Sequence, residues 1–285
     1  MARTTTLTPT PSARTAGSTR SVAPSSARSL LLTVLGEHVL PGGGQVWTST
    51  ALDALSLLGV GTPTARQALA RSAAAGLLTA SRVGRRTRWD LTARATALLA
   101  EGTERISSFG RRARRWDGQW LLITVTVPEP SRHLRHQLRV RLGWAGFAPL
   151  AAGSWISPWT SREGEAISLL AALGLEELST VFVSRLGGSE DALAVAGRIW
   201  DLDGVEADYR SFVARQSARS PASAGEAFAM LTTMVHDWRH FPAADPDLPA
   251  ELLPGWWPGG KAAALFHDRH AAWAPAARSW WAEHV

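Results

Sequence analysis

The sequence has no cysteine. That excludes disulfides, thiolate catalysis and cysteine-based zinc or iron–sulfur sites together, and it fits a reducing, cytoplasmic setting. Lysine is nearly absent as well: only Lys261 stands among 30 basic residues, so the placement of positive charge says more than its chemical type. No apolar run approaches the roughly 18 to 20 residues of a membrane span. Leu30–Leu32 is only core-sized, and a soluble chain is expected. Residues 1–26, rich in Thr, Ser, Pro and Ala, lack the apolar centre of a secretory signal and read as a disordered tail. Pro41-Gly42-Gly43-Gly44 has no following Gly-Lys-Ser/Thr and no strand before it, so it is a loop rather than a phosphate cradle.

What is present begins with size. A chain of 285 residues with 45% hydrophobic side chains can bury a large core and divides into two or three domains. Charge is unevenly spread. Residues 1–115 carry 16 arginines against 5 acids, a net +11, whereas residues 116–285 carry 14 bases against 19 acids, a net −5. A basic front joined to a near-neutral back points to a polyanionic partner for the front.

The front half has helical periodicity from Ala27, with Leu30, Leu31, Val34, Leu35 and Val39 on one stripe ending at Pro41. A second helix starts near Thr48–Thr50, where Thr50 and Asp53 have the spacing of a capping box, and buries Ala51, Leu52, Leu55 and Leu58. Thr62-Pro63 then opens a third helix, running to about Ala75. Its apolar positions Ala65, Ala68, Leu69 and Ala73 face inward and leave Thr64, Arg66, Gln67, Ala70 and Arg71 outside. Leu77–Arg82 and Thr87–Leu91 read as strands around the turn Val83-Gly84-Arg85-Arg86. Helix, helix, turn, helix and hairpin in that order make a winged helix-turn-helix spanning 27–104. On it, Arg66 and Arg71 suit guanine edges and Gln67 suits adenine. Arg82, Arg85, Arg86 and Arg88 suit phosphates, which adds salt-dependent affinity but little sequence information.

A fourth helix is expected from Thr92 to Glu101, ending at Gly102, and then a basic linker at 105–115 whose Arg111, Arg112, Arg114 and Arg115 serve either as a solvated tether or as a second phosphate contact. Across 116–204 strands and helices alternate: a strand at Leu121–Val127, a helix over 131–142 closed by Gly143, a strand segment at Ala148–Ile156, a helix near Ser161–Leu173, a strand at Thr180–Arg185, a helix at Ser189–Arg198 and a last strand at Ile199–Leu202. A ferredoxin-like α/β sandwich is the simplest packing of such a series. Trp144, Trp155, Trp159 and Trp200 belong to its core or line a ligand pocket. Residues 205–285 read as a helical domain, with helices at 205–217, Ala222–Arg239 and Gly260–His284 and a wrap between the last two that carries Pro242, Pro246, Pro249, Pro254 and Pro258. The fold class is therefore α+β.

Several segments, taken together, resemble the PaaX family of phenylacetate-pathway repressors. They are Ser29–Gly36, Arg66–Arg71, the turn Gly84-Arg85-Arg86 with Leu91-Thr92, Trp116-Asp117-Gly118-Gln119-Trp120, Gly143–Phe147, Asp245-Pro246-Asp247-Leu248-Pro249 through Leu252-Leu253-Pro254, and Trp257-Pro258-Gly259. The resemblance implies the same three-part layout, a homodimer on double-stranded operator DNA, and repression relieved by an aryl-acyl coenzyme A thioester such as phenylacetyl-CoA. Trp89, and Ser107-Ser108-Phe109, depart from the family pattern. No catalytic constellation is expected: there is no nucleophile elbow, and the helical pairs His236/His240 and His267/His270 lack the glutamate of the protease motif, so no metal site is assigned. Two other classes compete. A metal-dependent nuclease on the middle domain would need Asp117 or Glu129 beside the first strand. A protein-binding scaffold would use the same winged helix without DNA.

Overall fold

The computed structural model describes residues 26–111 and 115–285. Most of the expected tail, and Arg112 and Arg114 of the basic run, lie outside those residues. The fold is α+β, with two small antiparallel sheets and a helical C-terminal part. No helix among the described residues is long and apolar enough to cross a membrane.

The first part contains α1 (Ala27–Val34), prolonged by a π-turn at Leu35–Val39, then β1 (Gln45–Trp47), α2 (Thr48–Leu57), α3 (Thr62–Ala74), β2 (Leu78–Val83), β3 (Arg86–Leu91) and α4 (Ala93–Ser108). Ser26 caps α1, its hydroxyl accepting from the Ser29 amide. Strand β1 was not expected. It pairs antiparallel with β3 and makes a three-stranded sheet in the order β1-β3-β2. The hairpin β2–β3 closes at Gly84, whose φ of +61° is a left-handed value that other residues adopt only at a cost.

Two local expectations are corrected here. Thr50 does not cap α2: it lies inside the helix, fully buried, and donates its hydroxyl to the carbonyl of His284 at the far end of the chain. Gly102 does not end the fourth helix, which continues to Ser108. Side chains on either side of that glycine decide the matter. Leu99 and Thr103 pack over Gly36 of the π-turn, and Ile106 and Phe109 pack against the main core, which offsets the roughly 1 kcal/mol a helical glycine costs.

The middle part runs β4 (Trp120–Val125), α5 (Arg132–Trp144), β5 (Ala148–Ala151), β6 (Ser154–Ser157), α6 (Glu163–Ala172), β7 (Ser179–Ser184) and α7 (Ala192–Ile199). Its sheet has the order β5-β6-β4-β7, all neighbours antiparallel. Alternation along β4 sends Leu121, Ile123 and Val125 into a core with α5 and α6 and turns Trp120 and Leu122 to the opposite face, toward α7 and the proline-rich wrap. Three expectations change. Gly143 lies within α5, and the left-handed stop is Gly146, φ +77°. Ala148–Ile156 is a two-strand hairpin rather than one strand. Residues 199–202 form no strand, because Asp201 caps the next helix by accepting from the Gly204 amide.

The last part comprises α8 (Leu202–Ser217), α9 (Ala224–Trp238), the short α10 (Phe241–Ala244) and α11 (Gly259–His284). It shares one hydrophobic core with the first part: Leu31, Val34, Leu35, Leu55 and Leu69 join Phe212, Phe228, Leu231, Trp238, Phe266 and Trp281 in a single cluster. A polar seam runs through the same contact. His38 Nε2 lies 2.9 Å from Thr232 Oγ1, and because that hydroxyl donates to the Phe228 carbonyl, His38 is the donor. His236 Nδ1 lies 2.9 Å from Thr33 Oγ1, Arg239 donates to Ser29 and Thr33, and His270 pairs with Glu37 at 2.8 Å.

Burial lowers the pKa of both His38 and His236 from 6.5 to about 4. The folded chain thus refuses protons that the unfolded chain accepts near pH 6.5. Stability is complete above that pH and is lost as pH falls toward 4. For fully buried His38 the loss is on the order of 3 kcal/mol. Thermal unfolding compared at pH 7.5 and pH 5 should show a melting point lower by several degrees in acid, and Thr232→Val should reduce the fold's tolerance of heat at both pH values because it strands the His38 donor.

Candidate nucleic-acid interface and junction cleft

Between Asp53 and Asp90 the sequence holds six arginines and no acid, and the fold turns this stretch into one surface. Helix α3 buries Ala65, Ala68, Leu69 and Ser72 and exposes Thr64, Arg66, Gln67, Ala70 and Arg71. Its inner stripe is almost all small, so the helix lies close on its neighbours while the whole outer face stays free. Gly61 is extended ahead of the helix and Thr62 and Pro63 form its first turn, so the cap position falls one residue earlier than expected.

The four hairpin arginines are not equivalent. Arg82 and Arg85 are exposed, Arg82 donating to the Gly84 carbonyl at 3.4 Å. Arg86 lies with its guanidinium 4.2 Å above the Trp47 ring and 3.4 Å from Ser49 Oγ. Arg88 pairs with Asp90 at 3.2 Å, and the Ser81 hydroxyl donates to the same carboxylate at 3.0 Å. Trp89 Nε1 donates to Thr48 Oγ1 at 2.9 Å, and Thr48 donates to the Thr87 carbonyl. These contacts fasten the hairpin to the start of α2. The helical spacing of α3 and the arginine turn marked this surface in the sequence; the Trp47–Arg86 stack depends on the unexpected β1 and left no local signal.

A second feature lies where the three parts of the chain meet. A cleft of about 1240 Å³ opens between the end of α4, the end of α5 and residues 242–247, with Phe109, Phe147, Trp144 and Trp200 on its walls. Its charges are mixed: Arg105, Arg139 and Arg162 against Glu104, Glu165, Asp201, Asp245 and Asp247. Several are already engaged. Arg162 pairs with Asp247 at 3.8 Å, and Tyr209 donates to Asp245, burial raising the pKa of both partners. Of the four tryptophans assigned to core or pocket, Trp155 and Trp159 are buried and Trp200 is half-buried. Trp144 is 68% exposed and stands in the cleft wall.

The histidine pairs do not converge. His236 faces Thr33, His240 faces Asp208 at 3.6 Å, His267 faces the Phe109 carbonyl and His270 faces Glu37. Asp117 caps its own turn by accepting from the Gln119 amide, and Glu129 is exposed in a loop beyond β4. Among the described residues no group of three or more His, Asp or Glu is placed to hold a metal ion.

Because Arg66, Gln67 and Arg71 are exposed, replacing each with alanine should alter unfolding free energy by less than about 0.5 kcal/mol. Leu69→Ala on the hidden face of the same helix should cost about 2–5 kcal/mol. Chemical denaturation of the four variants checks the separation.

Comparison with known proteins agrees along the chain. Residues 26–95 match the family described as PaaX-like protein, residues 113–196 the PaaX protein central Cas2-like domain, and residues 200–283 the PaaX-like protein C-terminal domain. Over 265 residues the chain is 28% identical to the transcriptional repressor PaaX of Escherichia coli (strain K12), covering 89% of this chain and 82% of that protein. A solved structure of an uncharacterized protein from Mycobacterium tuberculosis is similar with a TM-score of 0.61 at 26% identity, covering 90% of this chain and 98% of that one. With all three segments matched in order, the chain belongs to the PaaX family, whose named relative is a regulator of transcription and not an enzyme.

Proposed function

We propose that this chain is a DNA-binding transcription repressor, active as a homodimer on double-stranded operator DNA and released by a small effector. The observation that carries this reading is the exposed, acid-free face of α3 beside the arginine-tipped hairpin. The element order supports a winged helix-turn-helix, with α3 entering the major groove and the β2–β3 hairpin as the wing. The strand order β5-β6-β4-β7, with α5 and α6 as crossings, supports a ferredoxin-like middle domain.

In this reading Arg66 and Arg71 address guanine, Gln67 addresses adenine, and Thr64 sits at the groove edge. Arg82 and Arg85 neutralise phosphates. Arg86 holds the wing against Trp47, and Arg88, already paired with Asp90, contributes least. The effector is an aryl-acyl coenzyme A thioester such as phenylacetyl-CoA. The junction cleft supports this by its size and its tryptophans. Its carboxylates keep the phosphate groups at the rim, where Arg111 follows Gly110, while the aryl end enters between Trp144 and Phe109.

A gel shift with the gene's own promoter region at low salt tests the proposal. Arg66→Ala and Arg71→Ala should each lose about 1–3 kcal/mol of specific affinity, Arg82→Ala and Arg85→Ala should each lower the salt slope by about one, and Arg88→Ala should change little. No binding at low salt, or binding indifferent to all of these, would sink the repressor reading. Phenylacetyl-CoA added to the wild-type complex should free the DNA.

A further inference from the structure

The first and last parts of the chain share one core, whereas the middle part has a core of its own on α5 and α6. The middle part is fixed to that body along one side, through Leu248, Leu252 and Trp257 of the wrap and the Trp159 Nε1 bond to the Asp247 carbonyl at 2.8 Å. On the other side the cleft separates them. Across its mouth stands Arg105, near the end of α4. Its guanidinium lies 5.4 Å from the ring centre of Trp144 on α5 and donates to the Pro242 carbonyl at 2.6 Å. One side chain thus touches all three parts of the molecule. Both Arg105 and Trp144 are exposed, so burial alone does not explain the pairing.

We infer that Arg105 is a positioning residue: a latch, with Trp144 as its keeper, that holds the middle part closed against the DNA-binding body, and whose opening by an occupant of the cleft accompanies release. This rests on the repressor reading for its functional half and on geometry alone for its structural half. The strength of the contact suits a switch. An exposed cation–π stack with one charged hydrogen bond biases a two-state equilibrium by roughly tenfold, enough to favour the closed form and little enough for a ligand to overcome. Pivoting falls to the wrap, where Asp247 has a φ of 53°.

The absence of native cysteine allows labels at chosen sites only. Spin labels at Ser56→Cys and His136→Cys report the distance from α2 to α5 across the cleft; labels at Ser56→Cys and Lys261→Cys report the joined body. Labelled chain is diluted with unlabelled chain so that each dimer carries one labelled copy. In Arg105→Ala, without DNA or ligand, the first distance distribution should broaden and lengthen while the second stays as in wild type. Trp144→Ala should do the same, and Arg105→Lys, which keeps charge without the planar stack, should fall between. Promoter affinity of Arg105→Ala should drop about tenfold with an unchanged salt slope, since the residue touches no phosphate, and added phenylacetyl-CoA should weaken it by a smaller factor than it weakens wild type. Unchanged Ser56–His136 distances in both alanine variants would overturn the latch, as would a shift in Ser56–Lys261. A wild type that ignores its promoter overturns the repressor reading instead, and the distances still decide the latch.

Discussion

The rest of the structure depends on how α3 is held from behind. A helix whose buried stripe is Ala65, Ala68, Leu69 and Ser72 removes little apolar area from water, so it contributes little to its own placement. Its position comes from α1 and α2, and theirs from α9 and α11, through Phe228, Leu231 and Trp281 and through the seam of His38, Thr232, His236 and Arg239. Polar pairs in such a seam add modest net stability, but each fixes a register, because shifting α1 along α9 would strand several buried donors at once. The helix that faces outward is aimed by residues more than 150 positions further along the chain.

That arrangement also explains why charge and stability are separated. The arginines of α3 lie on a face with no internal task, so their heads remain hydrated until a polyanion displaces water and counterions. Where an arginine in this region has an internal task, the fold reveals it: Arg88 is neutralised by Asp90, and Arg86 is laid on Trp47. The sequence lists all four hairpin arginines alike. Only their place in the folded hairpin sorts them: Arg86 and Arg88 share a face of β3, and what each meets there, Trp47 for the one and Asp90 for the other, sets its role.

Legibility followed the range of the physics. The inward set of α3, the arginine turn at Gly84 and the strand–helix alternation of the middle part were all readable, since each rests on periodicity or turn chemistry within a few residues. What was unreadable rests on distant partners. The spacing of Thr50 and Asp53 imitates a cap, yet Thr50 answers to His284. Gly102 imitates a stop, yet α4 passes through it to reach the core. The three-residue β1 exists only because β3 offers it a ladder. Trp144 could be read either as core or as pocket wall, and only the fold separates the two: at the last residue of α5 it is 68% exposed and stands in the cleft wall. The division of the chain into three segments also hid the fact that the first and last build one core.

A shared core between the ends of the chain restricts what release can look like. On the proposed repressor reading, an effector that tilted α3 against its support would have to disturb the core that α1 shares with Phe228 and Trp238, where each packing loss costs about 2–5 kcal/mol. The proposed latch instead places the change in the angle between the body that the two ends form and the middle part, which meet through an exposed stack, a few hydrogen bonds and the apolar cluster of Trp120, Ile156, Leu202, Leu248 and Leu252. In a dimer joined through any surface of the middle part, a small rotation there changes the distance between two copies of α3 while leaving each copy intact. Groove spacing along duplex DNA is fixed at one helical turn or its multiples, so under the proposed function a change in that distance alone would be enough to lose an operator.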